Sequence, residues 1–136
     1  MSIPIFTEAW ALAWSDELNA SQAYREAART WEGPVVLVLD SGDSGERAVF
    51  VDLWHGECRA ARQAAETDHE TAEVVIQGDL ATWRRVLERD LDPVFGLMTG
   101  RLRLTKGSMS RLMPYVEASK ELVAAATRVE TILPDD

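Results

Sequence analysis

The chain has 136 residues, 46% of them apolar and 27% charged, and a formal net charge of −9. That length fits one domain, 1–136, and the composition is that of a globular chain rather than a disordered one. The acidic balance disfavours nucleic acid, stable attachment to anionic membranes and any partner recognised mainly by negative charge.

The order of elements predicts an α+β domain: a helical pair over 1–32, then sheet and C-terminal helices over 34–136. Trp10, Trp14 and Leu18 recur at i, i+4 and i+8, one face of a helix from Thr7 to Leu18 with Thr7 as its cap. A second helix is expected from Ser21 to Trp31, stopped by Gly33-Pro34. Five branched apolar residues, Val35 to Leu39, suit a strand buried on both faces. Ser41 to Gly45 is turn chemistry. Over Ala48 to Trp54, Phe50 and Trp54 face one side and Val49, Val51 and Leu53 the other. His55-Gly56 turns the chain into a weakly apolar edge strand, Glu57 to Ala64, and Thr67 to Glu70 reads as an acidic link. Thr71 to Gln77 alternates as a half-buried strand.

Asp79 caps a helix, Leu80 to Arg89, with Leu80, Trp83 and Leu87 inward. Asp92 and Pro93 cap and open a short helix through Met98, followed by a strand from Arg101 to Thr105. The final helix carries Met109, Leu112, Met113 and Val116 at i, i+3, i+4 and i+7, and Pro114 should bend or divide it.

Catalytic signatures are not found. His55 and His69 have no metal-ligand spacing, and His55 with Cys58 makes half of a tetrahedral site at most, so no metal and no cofactor are expected. Cys58 is the single cysteine; it excludes an intrachain disulfide and, with no basic region before the first apolar residues, points to a cytoplasmic location. Gly42 to Gly45 lacks the lysine of a phosphate loop, and the carboxylates between Glu66 and Glu73 lack the pattern of a calcium hand. An enzyme acting on an apolar substrate would have to draw on Asp52, Thr99, Ser108, Ser110 or Tyr115, among which no pair stands out.

The informative stretch runs from Asp79 to Val123. Met98, Met109 and Met113 fall close together among Phe95, Leu97, Leu102, Leu104 and Leu112. Methionine is flexible and lines surfaces that adapt to variable apolar shapes, although by composition these residues read as core. The segment Asp92-Pro93-Val94-Phe95-Gly96-Leu97-Met98-Thr99-Gly100-Arg101-Leu102-Arg103-Leu104 resembles the C-terminal signature of the sterol carrier protein type 2 family, and Lys106-Gly107-Ser108-Met109 with Leu112-Met113-Pro114-Tyr115 resembles its continuation. Gly78 to Trp83 is similar to the family's strand-to-helix step, and Phe6 to Trp31 to the helical pair of its stand-alone bacterial members.

The resemblance implies a five-stranded, mixed, mostly antiparallel sheet with helices mainly on one face, enclosing an apolar tunnel. It implies non-catalytic binding and carriage of an apolar lipid, fatty acyl or sterol-like. The lining it implies is Trp83, Leu87, Val94, Phe95, Met98, Leu102, Leu104, Met109, Leu112, Met113 and Val116, in a cavity of several hundred Å³. Arg101 and Arg103 are expected on a solvated strand face. The chain's last residues carry no peroxisomal tripeptide, in keeping with a cytoplasmic location. The alternative is a ligand-free structural or regulatory homodimer of the same fold, marked by Trp10, Trp14 and Trp31 buried between two chains.

Overall fold

A computed structural model describes residues 2–40 and 46–133; the expected Ser41–Gly45 turn lies outside them. In chain order the elements are β1 (Ile3–Pro4), α1 (Glu8–Asn19), α2 (Gln22–Ala27), β2 (Glu32–Asp40), β3 (Glu46–Trp54), β4 (Glu57–Gln63), α3 (Glu66–Thr71), β5 (Val74–Asp79), α4 (Leu80–Leu87), α5 (Pro93–Met98), β6 (Arg103–Lys106), α6 (Met109–Leu112), a 3-10 turn (Met113–Tyr115), α7 (Val116–Thr127) and β7 (Thr131–Ile132). Strands β2 to β6 form one sheet in the order β4-β3-β2-β5-β6. Only the β2–β5 pair is parallel; the other three pairs are antiparallel. The fold is therefore the mixed, mostly antiparallel α+β arrangement expected from the sequence.

Alternation along the strands sorts the apolar side chains onto two faces. Val35 and Leu39 of β2, Val49, Val51 and Leu53 of β3 and Val74 of β5 point into the main core, against α1, α2, α4 and α7. Val36, Val38, Phe50 and Val75 form a smaller cluster on the opposite face, sealed by Ala72 at the end of α3. There the guanidiniums of Arg62 and Arg59 lie over the rings of Phe50 and Trp54, at 4.2 and 4.6 Å. Most helices thus share one side of the sheet, and the parallel crossover from β4 to β5 runs over the other.

Two departures from expectation have local causes. Thr67 to Glu70 is not a link but part of α3. The Asp68 carboxylate accepts the Ala65 N–H at 2.8 Å and the Arg62 guanidinium at 2.6 Å, and the second partner comes from a strand. The second helix stops at Ala27 rather than Trp31, and Gly33 and Pro34 lie inside β2 instead of before it. A short parallel pair, β1 with β7, joins the two ends of the described chain and was not expected. Among the described residues no helix is long and apolar enough to cross a membrane.

The candidate site is an apolar hollow under the broken C-terminal helix

Between the inner sheet face and the helices lies a hollow of about 120 Å³. That is many times the space one water needs and less than the several hundred Å³ of a full ligand pocket. Its floor is Val35, Leu37, Leu53, Val74 and Ile76 of the sheet. Its remaining walls are Phe6, Trp10 and Trp14 with Tyr24, Ala28 and Trp31, and Trp83, Val86 and Leu87 with Pro93, Val94, Leu97 and Leu102. Its roof is Leu112, Tyr115, Ala118, Ser119, Leu122, Val123 and Ala126.

Rigid indoles hold this space open. Each lining tryptophan turns its N–H away to a protein acceptor: Trp10 to Thr131 Oγ1 at 2.9 Å, Trp14 to the Leu122 carbonyl at 3.0 Å, Trp31 to the Gly33 carbonyl at 2.8 Å and Trp83 to the Val38 carbonyl at 2.9 Å. These bonds tie α1 to α7 and α4 to the sheet, so neither helix can sink onto the floor without breaking one. They also remove the only polar edge each ring has. Trp83 reaches Val38 by passing over Gly78, where an added Cβ would stand 2.6 Å from Leu102 and 3.2 Å from the Trp83 nitrogen. Phe6 packs edge-on against Trp83 with centroids 5.3 Å apart.

The roof is broken as Pro114 predicts: α6 ends at Leu112, a 3-10 turn covers Met113–Tyr115, and α7 restarts at Val116. At the break Tyr115 stands edge-on to Trp31, centroids 5.0 Å apart, and its hydroxyl shares a 3.0 Å hydrogen bond with Thr30. Tyr115 also lines an outer groove with Ala27, Thr30, Pro114, Glu117 and Glu121, so its side chain borders both spaces.

Of the site residues taken from sequence, Trp83, Leu87, Val94, Leu102 and Leu112 come together on the hollow. Leu104 packs against the core but off the hollow. Met109 and Val116 are half-buried and also off it, while Phe95, Met98 and Met113 are exposed. The walls given by α1, α2 and the far half of α7 were not foreseen. Trp10 and Trp14 were visible as a helix face, and Ala118, Leu122 and Ala126 follow helical spacing, but nothing local says which space they border. Arg101 and Arg103 are exposed, as expected of a solvated strand face.

Of the groups weighed for chemistry, Tyr115 lines the hollow, with its hydroxyl bonded to Thr30, and the others lie off it. Asp52 is on the opposite sheet face, held by Arg59 at 3.2 Å. Thr99 and Ser110 are exposed, and the Ser108 hydroxyl caps α6. Burial pushes the Cys58 thiol up despite its hydrogen bonds with Ser15 and to the Ala60 carbonyl, which keeps it protonated and a poor nucleophile. Among the described residues no cluster of His, Cys, Asp or Glu could hold a metal ion.

The model of the SCP-2 sterol transfer family matches residues 15–118. A crystal structure of sterol carrier protein 2 is 46% identical, covering 92% of this chain and 98% of its own, with a TM-score of 0.83. The solution structure of a conserved protein from Thermus thermophilus is 44% identical over 97% of this chain and 94% of its own, with a TM-score of 0.85. Sterol carrier protein 2 from Yarrowia lipolytica in its apo form shares the fold at 15% identity and a TM-score of 0.58, covering 85% of this chain and 87% of its own. No curated protein gives a significant match.

Proposed function

The chain belongs to the SCP-2 sterol transfer family, and from that premise we propose that it binds and carries an apolar lipid, a fatty acyl chain or sterol-like molecule, as a non-catalytic cytoplasmic carrier. The observation that supports this most directly is the lining: a hollow walled by carbon, with its indole N–H groups all turned outward. Such a wall gains free energy only from apolar contact. A tail of about a dozen methylenes gains on the order of 10 kcal/mol gross on burial, enough to meet the general cost of association.

The tail meets Trp83, Leu87, Val94, Leu102 and Leu112 in this reading. A hollow of about 120 Å³ takes part of such a tail, so loading parts the roof. The segment from Leu112 to Val123 is half-buried over much of its length and interrupted at Pro114, and at the break Tyr115 is bonded to Thr30, just beyond α2. The dimer alternative loses its expected mark, because Trp10, Trp14 and Trp31 are buried within one chain at 1%, 3% and 5% exposure.

The test is extraction of the purified protein with organic solvent and identification of what is released by mass spectrometry. A lipid near one per chain is expected, and the stripped protein should take up a fluorescent apolar dye. A lipid-free extract together with no dye uptake rejects the reading.

A further inference from the structure

The elements around the hollow are not held equally. α4 is pinned to the sheet by the bond from Trp83 to the Val38 carbonyl, and α7 is pinned at Leu122 by Trp14. From Arg103 to Glu117, by contrast, no residue is fully buried, the longest such run among the described residues. Leu112 and Tyr115 line the hollow from within that run. Its backbone turns at Gly107, with φ +102, and the helix that follows is broken at Pro114. A segment with few buried contacts is one that opens locally while the rest of the fold stays closed.

Between Ser108 and Glu117, the polar and ring contacts to other elements among the described residues come from two side chains. Both reach the junction of α2 with β2. Tyr115 meets Thr30 and Trp31. Arg111 holds three groups at once. Its Nη2 donates to the Glu32 carbonyl at 2.6 Å, its Nε lies 3.7 Å from the Glu73 carboxylate, and its guanidinium lies over the Trp31 ring at 4.6 Å. Glu73 is placed for this by its own N–H, which donates to the Pro34 carbonyl at 2.9 Å, and by Gly33, where an added Cβ would stand 2.3 Å from Glu73 Cγ. Trp31 is fixed in turn by its indole bond to the Gly33 carbonyl. A planar guanidinium can donate, pair and stack together, which a compact ammonium cannot. Arg111 does not line the hollow, but the next residue, Leu112, does.

Resting on the carrier reading above, we propose that the segment Ser108–Glu117 is the door of the hollow and that Arg111 is its latch. Arg111 is a positioning residue: it holds Leu112 and Tyr115 over the hollow without touching what lies inside. It therefore sets how fast an apolar ligand enters and leaves, and leaves the affinity to the lining.

The experiment mixes an apolar fluorescent dye with the wild type, Arg111→Leu and Arg111→Lys by stopped flow, and follows amide hydrogen exchange of the ligand-free proteins. In Arg111→Leu the association and dissociation rates should rise together by about five- to tenfold, the worth of roughly one net hydrogen bond, with Kd little changed. Amides from Met109 to Glu117 should lose protection by a similar factor while those of β2 and β3 keep theirs. Arg111→Lys keeps the charge but not the fork or the stack, and should fall between the two; it decides alone if Arg111→Leu does not fold. Arg128→Leu removes an exposed pair with Glu17 at the far end of α7, 3.0 Å long, and should change neither readout. Unchanged rates and exchange in the Arg111 variants overturn the latch. So does a weaker Kd with an unchanged association rate, which would make Arg111 a ligand contact. An equal acceleration in Arg128→Leu overturns the local door, because the roof would then loosen as a whole. If the wild type takes up no dye, the carrier reading fails and the door for lipid with it, whereas dye uptake with rates indifferent to Arg111 sinks the latch alone.

Discussion

Asp68 is the buried carboxylate whose charge the fold uses, at 4% exposure. Burial alone would raise it, but the Arg62 guanidinium and the Ala65 N–H outweigh burial and hold it below its usual value of 3.8. A lowered folded-state pKa contributes stability that is present above 3.8 and is lost as pH falls through the lower folded-state value. Asp68→Asn should therefore cost about 1–3 kcal/mol at neutral pH and flatten the loss of stability below about pH 4. Urea titrations of both proteins between pH 3 and 7 check this. Inside the hollow, Ser119→Phe should fill space at an overpacking cost of about 1–3 kcal/mol and abolish dye binding with the fold retained. Met113→Trp should leave dye binding intact, since Met113 points to solvent. The helix caps were readable at this scale, because Thr7, Ser21, Asp79 and Asp92 each accept an N–H within three residues. The outward course of Met98 and Met113 was not, because their surroundings are set by distant chain.

The limit on sequence reading is clearest in α5. Its six residues place Val94 inward and Phe95 and Met98 outward, and the roll is fixed by Leu91 and Leu102 closing on Gly96. One turn of helix has too few residues for periodicity to choose a face, so a list drawn from apolar character alone mixes both. Pro114 was legible in full, since the cause lies in the residue itself: a missing donor and a clash with the preceding turn. Its consequence can be measured. Tyr115→Phe removes the bond to Thr30 while keeping the ring on Trp31, and it should raise the dye's association and dissociation rates together, several-fold, with little change in affinity. Stopped-flow mixing gives both rates, and an affinity change without a rate change would contradict a gating role.

The sheet was largely readable from strand alternation and turn residues, including β4 at an edge. What escaped was long-range: the β1–β7 pair joins residues from opposite ends of the sequence, and α3 depends on a guanidinium from β4. The N-terminal pair was legible as helices but not as a wall of the site, since a helix face does not name its neighbour. A molecule built around a hollow gives up contacts that a filled core would make. A bound lipid should restore them, so the melting temperature should rise with lipid concentration as the logarithm of one plus its ratio to Kd. Calorimetry across a hundredfold range of lipid concentration checks this, with an expected gain of about 2.7 kcal/mol at 100 times Kd.

The lining tryptophans give the protein an optical property as well. Trp10, Trp14, Trp31 and Trp83 border the space a lipid would occupy, while the fifth indole, Trp54, sits on the far sheet face under Arg59. Ultraviolet emission from this chain is therefore dominated by rings that view the interior. Their colour and lifetime report whether that interior is empty or full, with no attached label and from the undisturbed wild-type molecule.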